Sequence, residues 1–182
     1  FTLPIHNGRI LAHEPKRGDI IVFVPEGHKD YFVKRLIGLP GDRVQFRNGI
    51  LYLNDKPQTS FVISEGRTND GSGNMVKTKH IREHIDGQDR AYTVQDTQTG
   101  AQGDDTDVYL VPENQYFFLG DNRDNSLDSR YVHSIGGIGY VPKGHIVAKA
   151  NFILFSVDDR FKLFKPWTWG YMRKGRFLRG IT

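Results

Sequence analysis

Lys34 is the side chain of this sequence best placed for acid–base chemistry. It follows Phe32 and Val33 in an apolar stretch, residues 31–37, that predicts a strand. If the strand turns the amine inward, burial penalises the charged form and lowers the pKa of Lys34, so that the amine can act as a general base near neutrality. The neighbouring Arg35 cannot do so, because its guanidinium stays protonated. A lysine that points into solvent is the commoner arrangement, and the residue types alone leave it open.

A polar segment at residues 120–130, GDNRDNSLDSR, is the second place where side chains of chemical interest collect. Ser126 could hold a neighbouring amine in position, since a hydroxyl both donates and accepts hydrogen bonds. Asp128 and Arg130 can form an ion pair that fixes the loop. The same composition also fits an ordinary turn rich in Asp and Asn, or a calcium loop. Arg123 and Arg130 among the would-be ligands disfavour calcium.

The segment HIREH at residues 80–84 matches the HxxEH pattern of zinc peptidases. That pattern needs a helix of several turns and a third ligand. Asp86-Gly87 instead predicts a turn that joins a strand at residues 81–85 to one at residues 92–95. We therefore expect a hairpin here, and neither a metal nor a cofactor in the protein.

The elements that must position these residues are predicted to be strands, in a mainly β fold with antiparallel sheets. No helical period is sustained, and Asn48-Gly49 between two apolar runs predicts a tight hairpin. Residues 38–42, GLPGD, predict a turn. Strands are expected at residues 18–24, 31–37, 43–47, 50–53, 61–64, 92–95, 108–111, 115–119 and 145–156.

Composition narrows the class of protein. The chain has 182 residues and no cysteine, so disulfide and thiol chemistry are excluded, and its longest apolar run, Ile20 to Val24, is too short to cross a bilayer. Residues 160–182 carry seven Lys/Arg, no Asp/Glu and several aromatic residues. Such a tail fits contact with an anionic membrane surface, or an ordinary solvated strand and turn. No nucleic-acid motif accompanies the charge.

Three segments in a fixed order resemble the bacterial type I signal peptidases, membrane-bound serine proteases that use a Ser/Lys dyad. They are KRGD at residues 16–19, KRLIGLPGD at residues 34–42 and GDNRDNSLDSR at residues 120–130. The resemblance covers about residues 15–46 and 108–156. It implies a catalytic β domain formed by residues 1–43 and 108–182, with residues 44–107, whose charge and turn content differ, as an inserted smaller β lobe.

The resemblance also implies roles for individual residues. Lys34 would be the general base, Ser126 would position its amine, and Asp128, Arg130 and Arg35 would brace the site. The substrate would be a signal peptide of Ala-x-Ala type, bound as an added strand along Tyr31, Phe32 and Val33. The family works at the cell membrane, with the catalytic domain on the extracytoplasmic side.

The sequence departs from the family at the nucleophile. In the family this serine lies in a Ser-Gly-Ser-Met segment before the first strand, and residues 1–16 contain no serine. The same serine supplies a backbone donor to the oxyanion hole. We therefore expect the chain as given to be inactive. A catalytically silent β module that binds membranes or peptides is the alternative, and a self-cleaving Ser/Lys repressor peptidase is a third, less favoured interpretation.

Overall fold

The computed structural model describes residues 14–69, 72–98, 100–150, 152–153 and 179–180, and nearly all of their regular structure is β-strand. Neighbouring strands pair antiparallel, so the prediction of a mainly β, antiparallel fold is confirmed. Two single-turn 3₁₀ helices, His133–Ile135 and Lys143–His145, interrupt the strands. The strands are β1 Ile20–Phe23, β2 Phe32–Gly38, β3 Arg43–Arg47, β4 Ile50–Leu53, β5 Lys56–Pro57, β6 Thr59–Asn69, β7 Met75–His84, β8 Tyr92–Asp96, β9 Tyr109–Leu110, β10 Gln115–Leu119, β11 Val141–Pro142, β12 Ile146–Lys149, β13 Phe152–Ile153 and β14 Arg179–Gly180.

A five-stranded sheet in the order β11-β10-β2-β1-β12 carries the Lys34 strand near its centre. β1 pairs with β2 from Phe23 opposite Phe32 to Ile20 opposite Arg35. On its other side β2 pairs with β10 only as far as Leu119 opposite Arg35. Within the described residues, the edge of β2 from Phe32 to Lys34 therefore has no strand beside it on that side.

Successive residues of β2 face two different hydrophobic cores, because side chains alternate along a strand. Leu36 is buried with Phe23 and Phe118 in one cluster. Ile37 is buried with Phe117 and with residues of β3, β4 and β8 in the other. The sheet is thus covered on both faces, which fixes the register of β2 and with it the direction of every side chain on the strand.

Residues 43–110 contribute a four-stranded sheet, β5-β4-β3-β9, and a three-stranded sheet, β6-β7-β8. The predicted hairpin at Asn48-Gly49 is present, and both residues have the positive φ angles, 49° and 75°, that such a turn requires. β9, just after residue 107, pairs with β3. The division into residues 1–43 with 108–182 and an inserted lobe of residues 44–107 stays a prediction.

The hairpin of β6 and β7 is longer than predicted. The sequence indicated strands at residues 61–64 and 81–85 only, whereas β6 has 11 residues and β7 has 10. A bulge between Val62 and Ser64 shifts the register and breaks the alternation of side chains, and the residues beyond it are mostly polar. The predicted hairpin with residues 92–95 is confirmed by the pairing of β7 with β8.

The final predicted strand, residues 145–156, is found as two short strands, β12 and β13. In a second compact unit, Ala150–Thr182, β13 pairs with β14. Residues 154–156, 1–13 and nearly all of the basic, aromatic tail lie outside the described residues. No helix in the described parts of the chain has the length and apolar character needed to cross a membrane.

Candidate active site

Lys34 and Ser126, 92 positions apart in the sequence, meet in the structure. The Nζ atom of Lys34 donates a hydrogen bond of 2.6 Å to Oγ of Ser126. Lys34 lies on β2, half-buried, and Ser126 lies in the loop that follows β10 with 7% of its surface exposed. The predicted contact between the two side chains is present, whereas their catalytic roles stay a prediction.

Asp128 fastens the loop to the end of the sheet. It is fully buried, and its carboxylate accepts hydrogen bonds from the backbone amide of Gly120 (3.0 Å) and from Nε of Arg130 (2.9 Å). Next to it, the Ser129 hydroxyl accepts a hydrogen bond from the amide of Phe118 on β10. The predicted ion pair of Asp128 and Arg130 is therefore present, and it holds the backbone that carries Ser126.

Gly120 leaves the space in which the Ser126 hydroxyl sits. A Cβ atom at position 120 would lie 2.0 Å from Oγ of Ser126 and 3.5 Å from Nζ of Lys34. The first distance is far below van der Waals contact, so a side chain cannot be added without moving Ser126. Gly120 is needed here for its lack of a side chain.

The electrostatic surroundings favour a neutral Lys34 amine. Partial burial lowers the pKa of Lys34 below that of an ordinary lysine, because desolvation penalises the ammonium form. Asp128 acts against this by raising the pKa, Arg130 lowers it, and Asp121 raises it. Burial has the largest effect, so the amine can take up a proton from a nearby hydroxyl at lower pH than a lysine in water.

Arg35, predicted to brace the site, points to the opposite face of β2 from Lys34. Its guanidinium grips Asp121 with two hydrogen bonds, Nε to Oδ1 at 2.8 Å and Nη2 to Oδ2 at 2.7 Å. It also donates to the carbonyl of Gly18 (2.9 Å) and stacks on the ring of Tyr92, 4.0 Å from its centre. Arg35 thus ties β2 to the start of the loop, to the segment before β1 and to β8.

The three residues predicted to bind substrate lie at the open edge of β2. Phe32 shares the face of Lys34 and packs against Phe23. Val33, 56% exposed, projects to the other face, and Tyr31, 68% exposed, precedes the strand. Their part in binding stays a prediction, and the alternation places Phe32 rather than Val33 on the side of the amine.

Three contributors to the site were missed from the sequence. Asp121 lies within the polar segment at residues 120–130. Its negative charge, together with the positive charge of Arg35 on β2, could have indicated the ion pair. Gly120 matters through a close approach that only the folded chain reveals. Tyr92 comes from a distant strand, and nothing in its neighbourhood in the sequence indicates the contact.

The zinc interpretation of residues 80–84 is excluded by the local structure. They lie in strand β7 rather than in a helix, so His80 and His84 are not one helical turn apart. The ring of His80 contacts the Ser64 hydroxyl, and that of His84 contacts the carbonyl of Gln88. Among the residues that the structure describes, no group of three His, Cys, Asp or Glu could hold a metal ion.

Comparison with known proteins identifies the family of the chain. A sequence model of the family described as "Signal peptidase, peptidase S26" matches residues 3–155. The signal peptidase I of Rickettsia akari is 40% identical over 165 residues, and that of Rickettsia conorii is 39% identical over 161 residues. In both cases the match covers 85% of this chain and 57% of the relative.

A crystal structure of a signal peptidase I from Enterococcus faecalis is similar over 74% of this chain and 94% of that chain, with 28% identity and a TM-score of 0.41. The family assignment depends on the sequence matches, since they cover most of the chain, including β2 and the loop after β10. The chain therefore belongs to the peptidase S26 family, that of the bacterial type I signal peptidases.

Proposed function

We propose that these residues form the catalytic body of a serine endopeptidase that removes signal peptides from exported proteins. The observation that carries the proposal is the half-buried Lys34 amine, hydrogen-bonded at 2.6 Å to the Ser126 hydroxyl. A lysine with a lowered pKa beside a fixed hydroxyl is the arrangement that a Ser/Lys protease needs for its base. The activity, substrate and membrane location of the whole protein are part of this proposal.

In the proposed reaction the neutral amine of Lys34 accepts the proton of an attacking serine hydroxyl. The serine oxygen bonds to the carbonyl carbon of the scissile peptide, and the resulting ammonium gives the proton to the departing amine. Lys34 then accepts a proton from the water that hydrolyses the acyl-enzyme, and returns it to the serine. Ser126 keeps the amine in place through its hydroxyl throughout this sequence.

Ser126 is better suited to positioning than to attack. Only 7% of its surface is exposed, and Gly120 lies directly against its hydroxyl. A peptide carbonyl would have to enter this space to be attacked by Ser126. We therefore propose that the nucleophile is a serine from a segment outside these 182 residues, and that the chain alone does not cleave signal peptides.

The proposed substrate is an extended segment with small side chains at the first and third positions before the cut, the Ala-x-Ala pattern. It would pair with the edge of β2 from Phe32 to Lys34, which has no neighbouring strand on the β10 side within the described residues. An added strand gains main-chain hydrogen bonds there and passes close to the amine. Small side chains fit because the peptide lies against the protein backbone.

The test compares the 182-residue chain with a chimera that carries, in front of it, the upstream segment of the Rickettsia akari relative. A peptide with an Ala-x-Ala site is incubated with each in detergent. We expect cleavage by the chimera only, with a rate that rises with pH as Lys34 loses its proton. Lys34→Ala and Lys34→Arg should both abolish it, because neither side chain is a base near neutrality.

Three results would contradict the proposal. Efficient cleavage by the 182-residue chain alone, lost in Ser126→Ala, would make Ser126 the nucleophile. Undiminished cleavage by the Lys34→Ala chimera would remove Lys34 from the mechanism. A chimera that folds, binds the peptide and never cleaves it would favour a silent β module.

A further inference from the structure

We infer that Tyr92, on β8, is a positioning residue for the Lys34 site. Its ring holds the Arg35 guanidinium against Asp121, so that the Asp121 carboxylate is kept from pairing with the Lys34 amine. Tyr92 touches neither Lys34 nor Ser126 in any described contact, and acts through Arg35. The inference deepens the proposed function, since it concerns the base of that same reaction.

The Tyr92 ring covers one side of the Arg35 guanidinium. Arg35 is 5% exposed, and its charge centre lies 4.0 Å above the Tyr92 ring. Both of its hydrogen bonds to Asp121 are near-ideal in length, at 2.7 and 2.8 Å. A planar guanidinium that is stacked on one face and paired at its edge loses little freedom per bond, so the pair with Asp121 is well defined.

Tyr92 is itself held rigidly. It is 2% exposed, and its hydroxyl donates a hydrogen bond to Glu83. Glu83 in turn accepts a hydrogen bond of 3.0 Å from Arg123, in the loop that carries Ser126. Burial first, and then the charge of Glu83, raise the pKa of Tyr92 well above its usual value, so the hydroxyl remains a neutral donor.

Asp121 is the acid near Lys34 whose partner can most easily change. The charged groups that act most on the amine are Asp128, Arg130 and Asp121, all from the loop, and Gly120, next to Asp121, lies so close that a Cβ there would be 3.5 Å from Nζ of Lys34, while β1 places the apolar Ile21 opposite Lys34. Beyond β1, Lys149 pairs with Asp19. Asp128 is fully buried and bound by Arg130, whereas the Asp121 side chain is 40% exposed and bound by Arg35.

Loss of the Tyr92 ring should therefore change the pKa of Lys34, the proposed base. Without the Tyr92 ring, the Arg35 side chain can adopt more conformations, and it neutralises the negative charge of Asp121 less fully. An acid that is free to turn towards the amine stabilises its ammonium form and raises the pKa of Lys34. The neutral fraction at a given pH then falls, which would slow the proposed reaction without any change in a group that touches substrate.

The experiment follows the Lys34 amine directly, by NMR titration of the chain with ¹³Cε-labelled lysine and with Lys34→Arg to assign the signal. In Tyr92→Leu we expect the titration midpoint to move to higher pH by about half a unit or more. Tyr92→Phe keeps the ring and should leave the midpoint unchanged. Because no cleavage is measured, failure of the proposed function and failure of this inference give different results.

Tyr52→Leu is the matched control. Tyr52 lies under Arg47 at 4.5 Å on β4, the same kind of pair away from Lys34, and its loss should not move the midpoint. If circular dichroism shows that Tyr92→Leu does not fold, the variant Arg35→Lys tests the inference instead. Lysine keeps the positive charge but lacks the planar guanidinium with its two parallel hydrogen bonds, so this variant should also raise the titration midpoint of Lys34. An unmoved midpoint in the folded variants, or an equal shift in Tyr92→Phe, overturns the inference.

Discussion

At the scale of single residues, the site is defined by what surrounds one amine. Lys34 has a lowered pKa through partial burial, and it keeps its position through the hydroxyl of Ser126. The hydrogen bond to Ser126 would be lost if position 120 carried a side chain, because a Cβ there would lie 2.0 Å from Oγ of Ser126. The chemistry of Lys34 therefore depends on a residue that contributes no functional group of its own.

Gly120→Ala is expected to displace Ser126 and so to abolish the Lys34–Ser126 hydrogen bond. The added Cβ would lie 2.0 Å from Oγ and 2.4 Å from Cβ of Ser126, on a loop that Asp128 holds in place. In the chimera described above, cleavage should fall at least about 100-fold, the effect of a small misplacement at a catalytic centre. Gly144→Ala, where an added Cβ meets nothing within 4 Å, is the control. Equal activities of the two variants would show that the loop can move to accommodate the added Cβ, and would contradict the prediction.

Residue-level prediction from the sequence succeeded where the residue and its partner lie in recognisable segments. The contacts of Lys34 with Ser126 and of Asp128 with Arg130 could be expected from the motifs at residues 34–42 and 120–130. The contact of Arg35 with Tyr92 could not. It depends on the packing of β8 into the same hydrophobic core as Ile37 of β2, and no local pattern of residues encodes that.

At the scale of elements, the turn after β2 fixes where the strand ends. The carboxylate of Asp42 accepts hydrogen bonds from the amide of Leu39 (2.6 Å), from Arg17 (2.8 Å) and from Asn54 (2.9 Å). Burial alone would raise the pKa of Asp42. The hydrogen bonds from Arg17, Asn54 and Leu39 outweigh burial, so the pKa lies below its usual value.

Asp42→Asn should lower the free energy of unfolding by about 1–3 kcal/mol at neutral pH, since an amide cannot accept all three hydrogen bonds. A carboxylate whose pKa is lower in the folded state stabilises the fold above its unfolded-state pKa, and this is lost as pH falls through the folded-state pKa. The difference in free energy of unfolding between wild type and variant should therefore be smaller at about pH 3 than at neutral pH. Urea unfolding at both pH values measures it, with Asp30→Asn, at an exposed position, as control. A gap that stays constant with pH would mean that the charge of Asp42 contributes nothing.

Strands were predictable from the sequence where alternation or an apolar run was strong, and were missed where it was weak. β2, β3, β4 and β10 were found close to their observed bounds. The far part of β6, from Glu65 onwards, was not, because it is polar apart from Gly66 and buries no side chain on either face. It is held as a strand by its backbone pairing with β7 across the hairpin, which the side chains of this part of the chain do not indicate.

At the scale of the whole molecule, one hydrophobic core has members both in the sheet that carries Lys34 and in residues 44–107. This core joins Ile37 and Phe117 to Phe46, Leu51 and Val94. The same region is joined to the loop at residues 120–130 by the buried ion pair of Glu83 with Arg123. A lobe attached in this way should unfold together with the body, even if it arose as an insertion.

Glu83→Ala tests that coupling, because it leaves the buried charge of Arg123 without its partner. Glu83 and Arg123 have side chains only 3% and 7% exposed, and removing one member of a buried pair costs about 3–5 kcal/mol. We expect a loss of that size in urea unfolding, within a single transition that is the same by far-UV circular dichroism and by tyrosine fluorescence. Asp55→Asn removes the charge of the Arg43–Asp55 pair, whose side chains are 48% and 60% exposed, keeps a residue type that tolerates the positive φ of 64° at this position, and should change stability by less than about 1 kcal/mol. Two separate transitions, with Glu83→Ala shifting only one of them, would show instead that residues 44–107 fold as an independent lobe. The ion pair of Glu83 with Arg123 would then not couple the unfolding of that lobe to the unfolding of the catalytic body.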